Sequence, residues 1–265
     1  MPRDIDLRQF EREIESWRIR IKDDNDRKTY DEVFDKQTLL TIYKLFSDGV
    51  FDIIDFPIAT GKEGNVFRAN TRSGHLLAVK IYRISNATFK DLSRYILGDP
   101  RFKNESKRFP NVIYVWARKE YKNLERFAQA GVRVPNPIAL HKNVLVMEYI
   151  GDETTPARAL KDVDIADPER LAQHLLDSIE RAYCVGGIVH GDLSEYNVLM
   201  SADGPVIIDV AQAVLKDHWM ARELLERDVK NIARYFKKFD VRIDVNEELR
   251  KILERGVETD TSTYS

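Results

Sequence analysis

The stretch that most constrains this chain is Ile188 to Ala211, IVHGDLSEYNVLMSADGPVIIDVA. Two apolar runs within it, Ile188-Val189 and Val206-Ile207-Ile208, read as short strands, and each delivers a carboxylate just past its end, Asp192 and Asp209. Carboxylates so placed are seldom there for packing, because an acid removed from water needs a specific partner. Asn197 follows Asp192 by five residues, and Ala202-Asp203-Gly204-Pro205 reads as a tight turn folding the second run back beside the first. That turn is expected to bring Asn197 and Asp209 together.

An amide oxygen and a carboxylate are hard ligands, suited to a magnesium ion that also grips phosphate oxygens. Asp192 is then left to accept or orient a hydroxyl proton. D-x-x-x-x-N followed by a β-turn and an apolar-apolar-Asp is the arrangement used by phosphoryl-transfer enzymes of the protein-kinase type. The plainer reading is a polar loop joining two strands of an α/β protein.

At 265 residues the chain has room for one bilobal domain or two small ones. Lys+Arg number 42 against 44 Asp+Glu, for a net charge of −2, so no global field argues for nucleic acid and any such contact must be a local patch. The single cysteine, Cys184, excludes an intramolecular disulfide and fits a reducing cytoplasm, the expected location. The N-terminal MPRDIDLRQFEREIE is charged from its third residue, unlike a signal peptide, and no apolar run approaches the ~18 residues that would span a membrane.

In chain order, Phe10, Ile14, Trp17 and Ile21 mark one amphipathic helix, and Tyr30 to Ser47 a second, with an apolar face of Val33, Phe34, Leu39, Leu40, Ile42, Tyr43 and Phe46. Phe51 to Tyr82 reads as three antiparallel strands, with a glycine turn at Gly61-Lys62-Glu63-Gly64 before Val66 that would let backbone approach a triphosphate. A P-loop is excluded, because Glu63 follows Lys62 and Phe56 stands where its first glycine belongs. Lys80, on the third strand, is placed to hold α- and β-phosphates. Its expected partner is Glu120, a carboxylate on the apolar face of a helix from Pro110 to Ala130, beside Trp116 and Leu124. Between them Ser85 to Phe109 carries six basic against three acidic residues, a candidate macromolecular contact with candidate phosphorylation sites at Ser93 and Ser106. Asn143 to Tyr149 reads as a buried strand, with the Glu148 carbonyl and Ile150 amide placed for an adenine. Asp167-Pro168 opens a helix through Cys184, and helices around Met220 to Phe239 and Asn246 to Arg255 complete the chain. His190, inside the loop, is read as structural.

Taken together, TGKEGNVF, AVKIY, Glu120, MEYIG, HGDLSEYNVL and IIDVAQAV resemble the RIO family of atypical serine/threonine protein kinases, in the branch without an N-terminal winged-helix domain. The resemblance implies an α+β, bilobal protein-kinase-like fold: a small antiparallel-sheet N-lobe with one helix, a mainly helical C-lobe and an N-terminal helical extension. The corresponding divisions are an extension over 1–49, an N-lobe over 50–148, a C-lobe over 149–257 and a frayed polar tail over 258–265. It implies that Asp192 is the catalytic aspartate and that Asn197 and Asp209 bind Mg2+ or Mn2+. Gly61, Lys62, Gly64, Val66, Lys80, Glu120, Glu148 and Ile150 would then serve ATP, and Asp209 is a candidate aspartyl-phosphate site. It further implies ATP hydrolysis, autophosphorylation and work on the small ribosomal subunit precursor, protein and rRNA, during late maturation.

Two departures from ordinary kinases weaken the case for fast protein phosphorylation and are compatible with slow turnover. Ala59 stands where the first glycine of G-x-G-x-x-G would be, and Ser194 where a lysine would steady the γ-phosphate. Two other readings remain at this level: a small-molecule phosphotransferase of the aminoglycoside or choline kinase type, which shares HGDL, and an ATP-gated pre-ribosome binding factor with little kinase activity.

Overall fold

The computed structural model describes residues 35–61, 64–83, 94–96, 98–102 and 111–262, the side chains of 111 and 258–262 excepted. The Phe10–Ile21 stripe, Val33, Phe34, Lys62, Ser93, Ser106 and most of the basic Ser85 to Phe109 stretch lie outside the described residues. Contacts divide the chain into two compact units. Among the described residues, 35–61, 64–83, 111–118 and 137–149 belong to the first, and 94–96, 98–102, 119–136 and 150–262 to the second.

The first unit is built on a five-stranded antiparallel sheet of order β1-β2-β3-β5-β4, formed by β1 (Ile53–Thr60), β2 (Gly64–Asn70), β3 (Leu76–Tyr82), β4 (Pro137–His141) and β5 (Val144–Glu148). The three expected strands are there. β4 is an addition: the prolines at 135 and 137 hide it in the sequence, but Pro137 opens an edge strand, where a missing N–H costs no ladder bond. Pro57 likewise sits on the opposite edge strand, between two register shifts.

Helix α1 (Lys36–Ser47) packs on this sheet through Ile42 and Leu45, in a core shared with Phe51, Ile54, Phe67, Val79, Ile81, Val144 and Val146. It starts later than the sequence pattern places it. Asp35 is extended (ψ 163°) and its carboxylate accepts the Thr38 N–H at 2.7 Å, a side-chain cap that ends the helix on its N-terminal side. Leu40, counted in the apolar face, points outward and is 44% exposed.

The second unit is mainly helical. Its helices are α3 (Pro168–Cys184), α4 (Ala221–Phe236) and α5 (Val245–Ser262), with the C-terminal part of α2 (Asn111–Gln129). Asp167 caps α3 by accepting the Arg170 N–H at 3.0 Å, with Pro168 in the first turn, as its sequence signature predicts. Leu171, Leu175, Leu176 and Ile179 bury one face of it. Helix α5 runs past the expected stop at Arg255 to Ser262, into the stretch read as frayed. Gly256 lies close against α3: a β-carbon there would come within 2.7 Å of the Tyr183 ring, which would have to shift.

The loop region corrects one sequence reading. Val206–Ile208 does not fold back on Ile188–Val189. Strand β9 (Gly204–Ile207) pairs with β8 (Val198–Ser201), which itself pairs with β6 (Arg158–Ala159), while β7 (Ile188–Val189) pairs with β10 (Val214–Leu215). The Ala202-Asp203 turn is too tight to reach past its own flanking residues, so it closes the hairpin nearest to it.

Candidate phosphotransfer site

The β8–β9 hairpin still delivers the expected neighbours. Val198 faces Ile207 across the ladder, and the Ile208 N–H donates to the Asn197 carbonyl at 3.0 Å, so Asn197 and Asp209 leave the same end of the hairpin. The Asn197 amide donates to the Asp192 carbonyl at 2.8 Å, which ties the loop between them. Asp209 itself is left-handed (φ 59°, ψ 54°), a conformation that turns its carboxylate out of the strand direction.

Asp192 is about half exposed, with its carboxylate 4.0 Å from Arg227 on α4. Burial pushes its pKa up; Arg227, His190 and Asn197 oppose that, and the neighbouring Asp209 charge adds to it. The Asp209 charge therefore reaches Asp192. His190 is structural, as expected: its Nδ1 accepts the Asp192 N–H at 3.2 Å and its Nε2 bonds the Ile208 carbonyl at 3.0 Å. One buried imidazole thus ties the Asp192 turn to the strand leading into Asp209.

The donors fit a hard cation. Asn197 and Asp209 would supply an amide and a carboxylate oxygen, donor types that fit Mg2+, which takes one or two carboxylates and completes its shell with water and phosphate oxygens.

In the first unit, Lys80 lies opposite Val66 on β2 and Leu145 on β5, with Nζ 5.2 Å from the centre of the Tyr82 ring. The glycine turn closes through the Gly61 N–H and Gly64 carbonyl at 2.9 Å. Gly64 has a reason the sequence does not reveal: its β-carbon would collide with the Ile81 carbonyl oxygen of the paired strand. Glu148 ends β5 and is partly buried, and Ile150 is buried at the first residue of the second unit. Glu120 is 1% exposed, so a surface role for it is excluded. Lys80 belongs to the first unit and Glu120 to the second.

Four further residues matter to the site and carry no motif. Asp228 is buried on α4 and accepts the Gly191 N–H at 2.7 Å and the Leu193 N–H at 2.8 Å, bracketing Asp192. Its signal is an acid in register with Leu224 and Ile232 on an apolar stripe. Burial raises its pKa to about 6, against the pull of His190 and the two backbone donors. Arg227 is next to it, and Lys119 and Asn123 are buried polar residues on α2.

A sheet-based unit bearing the lysine strand, joined to a helical unit bearing the Asp192, Asn197 and Asp209 loop, is the α+β architecture of protein-kinase-like phosphotransferases. Comparison with known proteins is specific. The RIO domain model matches residues 65–249. The serine/threonine-protein kinase Rio1 of Haloferax volcanii is 43% identical over 231 residues, covering 87% of this chain and 79% of that protein. Human serine/threonine-protein kinase RIO1 is 38% identical over 242 residues, covering 90% of this chain and 43% of the human protein. Among solved structures, a Rio2 kinase–ADP/Mg2+–phosphoaspartate complex from Chaetomium thermophilum superposes with a TM-score of 0.63 at 22% identity, covering 84% of this chain and 76% of that one, a likeness of fold. This chain belongs to the RIO family, and its class is that of the atypical serine/threonine protein kinases. No described helix is long and apolar enough to cross a membrane.

Proposed function

We propose that this chain transfers the γ-phosphoryl group of ATP to serine, on itself and on a protein of the small ribosomal subunit precursor, and hydrolyses ATP slowly to time a late maturation step. The observation that supports the reading is a pair of hydrogen bonds, from the Asn197 amide to the Asp192 carbonyl and from the Ile208 N–H to the Asn197 carbonyl, which tie the Asp192 loop to the hairpin end that leads into Asp209.

Asp192 orients the acceptor hydroxyl and takes its proton as the oxygen attacks the γ-phosphorus and ADP leaves. Asn197 and Asp209 would hold Mg2+ or Mn2+, which when bound neutralises charge on the phosphates. By correspondence with the family motif, Lys80 serves the α- and β-phosphates, Glu120 steadies that lysine, Gly61, Lys62, Gly64 and Val66 form the glycine turn, and the Glu148 and Ile150 backbone binds adenine. The Rio2 complex contains a phosphoaspartate, and Asp209 is the acceptor proposed here. Its carboxylate oxygen would form a bond to the γ-phosphorus as ADP leaves, and water would later release inorganic phosphate.

The maturation role is tested by adding small-subunit precursor particles to the purified chain with ATP. The reading expects faster phosphate release and dissociation of the chain from the particle, both lost in Asp192→Ala. Dissociation that proceeds equally with Asp192→Ala contradicts it.

A further inference from the structure

Lys119 is fully buried on α2, immediately before Glu120, and has no part in the chemistry above. Its Nζ donates to the Ala211 carbonyl at 2.8 Å and to the Ala213 carbonyl. One turn further along α2, Asn123, also fully buried, donates its amide to the carbonyls of Val210 at 2.7 Å and Ala213 at 3.2 Å. The Asn123 oxygen in turn accepts Arg101 Nη2 at 2.9 Å, and Arg101 is held by the buried Asp99 at 2.7 Å. One helical turn therefore grips three carbonyls of the short 3-10 segment Val210–Gln212 and its successor Ala213, which directly follow Asp209.

Such an arrangement is costly. Burial pushes the Lys119 amine down to about 7, with Arg101 adding to the shift and Asp99 opposing it. An apolar side chain would complete this face of α2 without removing a charge from water. What the amine and amide gain is control of the backbone after a strained residue. Asp209 is left-handed, and a non-glycine residue in that region, costing on the order of 1 kcal/mol or more, persists only where its surroundings over-determine it.

We propose that Lys119 and Asn123 are positioning residues that lock the Val210–Ala213 backbone and thereby hold the Asp209 carboxylate where a divalent cation needs it. The inference rests on the reading of Asp209 as a metal ligand.

The test is Mn2+ binding to the full chain in the presence of ADP, followed by the electron paramagnetic resonance signal of free Mn2+ and corrected by the same titration without protein. Metal-free ADP binding and thermal unfolding are measured in parallel. Asp209→Ala is expected to abolish protein-dependent Mn2+ binding. Lys119→Met and Asn123→Ala are expected to weaken it about tenfold, as loss of a group supporting a ligand does, with metal-free ADP affinity changed less than about twofold. Wild-type Mn2+ affinity in both clamp variants, beside its loss in Asp209→Ala, overturns the clamp. Equal weakening of Mn2+ and metal-free ADP binding also overturns it, as general loosening. Wild-type Mn2+ affinity in Asp209→Ala overturns instead the metal reading beneath it. Should Lys119→Met fail to fold, Asn123→Ala decides alone, since it keeps the buried amine on its two carbonyls.

Discussion

The side-chain amide of Asn197 donates to the main-chain carbonyl of Asp192 at 2.8 Å, so the residue proposed to hold a cation also ties the loop that carries the proposed catalytic carboxylate. Removing it loosens both at once. Asn197→Ala is expected to lower phosphoryl transfer at least about a hundredfold, the cost of a small misplacement of reacting groups, with little change in melting temperature. Label transfer from γ-labelled ATP and a thermal unfolding curve on the same preparation check this.

Arg227 stands 4.0 Å from the Asp192 carboxylate and opposes the rise in its pKa that burial imposes. A general base works only when ionised, so activity falls as pH drops through its pKa. In Arg227→Met the opposing charge is gone, and the acid limb of the activity profile is expected to move to higher pH. A limb that stays in place in Arg227→Met, over a series of buffers at constant ionic strength, contradicts the assignment of Asp192 as the titrating base.

Asp228 satisfies two buried N–H groups, those of Gly191 and Leu193. Asp228→Ala orphans both, which at about 1–3 kcal/mol each predicts a loss of roughly 2–6 kcal/mol in unfolding free energy. Its titration adds a pH signature. The folded-state pKa, about 6, lies above the ordinary value of 3.8, so the folded state holds the proton more tightly. The contribution to stability is present in full below the ordinary value and is lost as pH rises through about 6. Urea titrations should therefore show the advantage of wild type over Asp228→Asn shrinking from about pH 4 to about pH 7.

The two glycines of the turn behave differently. A β-carbon at Gly64 meets the Ile81 carbonyl oxygen, whereas at Gly61 it lies 3.5 Å from the Gly64 oxygen, an ordinary contact. Gly64→Ala is expected to destabilise the chain by about 1–3 kcal/mol, as overpacking does, and Gly61→Ala by no more than about 0.5 kcal/mol. Urea unfolding of the two variants distinguishes them. Equal stabilities would show that the close approach to Ile81 does not constrain the turn.

What was legible in the sequence followed from local rules. The apolar period of α2, the Asp167-Pro168 start of α3 and the apolar run of β3 each follow from local spacing, and each appears in the structure. The approach of Asn197 to Asp209 was legible because one hairpin, β8–β9, sets it. Partners distant in the chain were not legible. β7 pairs with β10 rather than β9, because two-residue strands carry too little pattern to specify a neighbour. Lys119 and Asn123 read as ordinary charged and polar helix residues, since their acceptors are main-chain carbonyls some 90 positions away, which leave no side-chain signature. Asp35 shows the opposite limit. Its neighbours are all compatible with helix, and only the bond to the Thr38 N–H places the boundary.

The central claim is that Asp192 and Asp209 serve one phosphoryl-transfer centre. The most direct measurement is transfer of label from γ-labelled ATP, with Mg2+, to serine of the chain itself and to inorganic phosphate, in wild type, Asp192→Ala and Asp209→Ala. The account predicts label on serine and slow phosphate release in wild type, with both lost in each variant while the chains remain folded. Transfer and hydrolysis at wild-type rates in Asp192→Ala would contradict it.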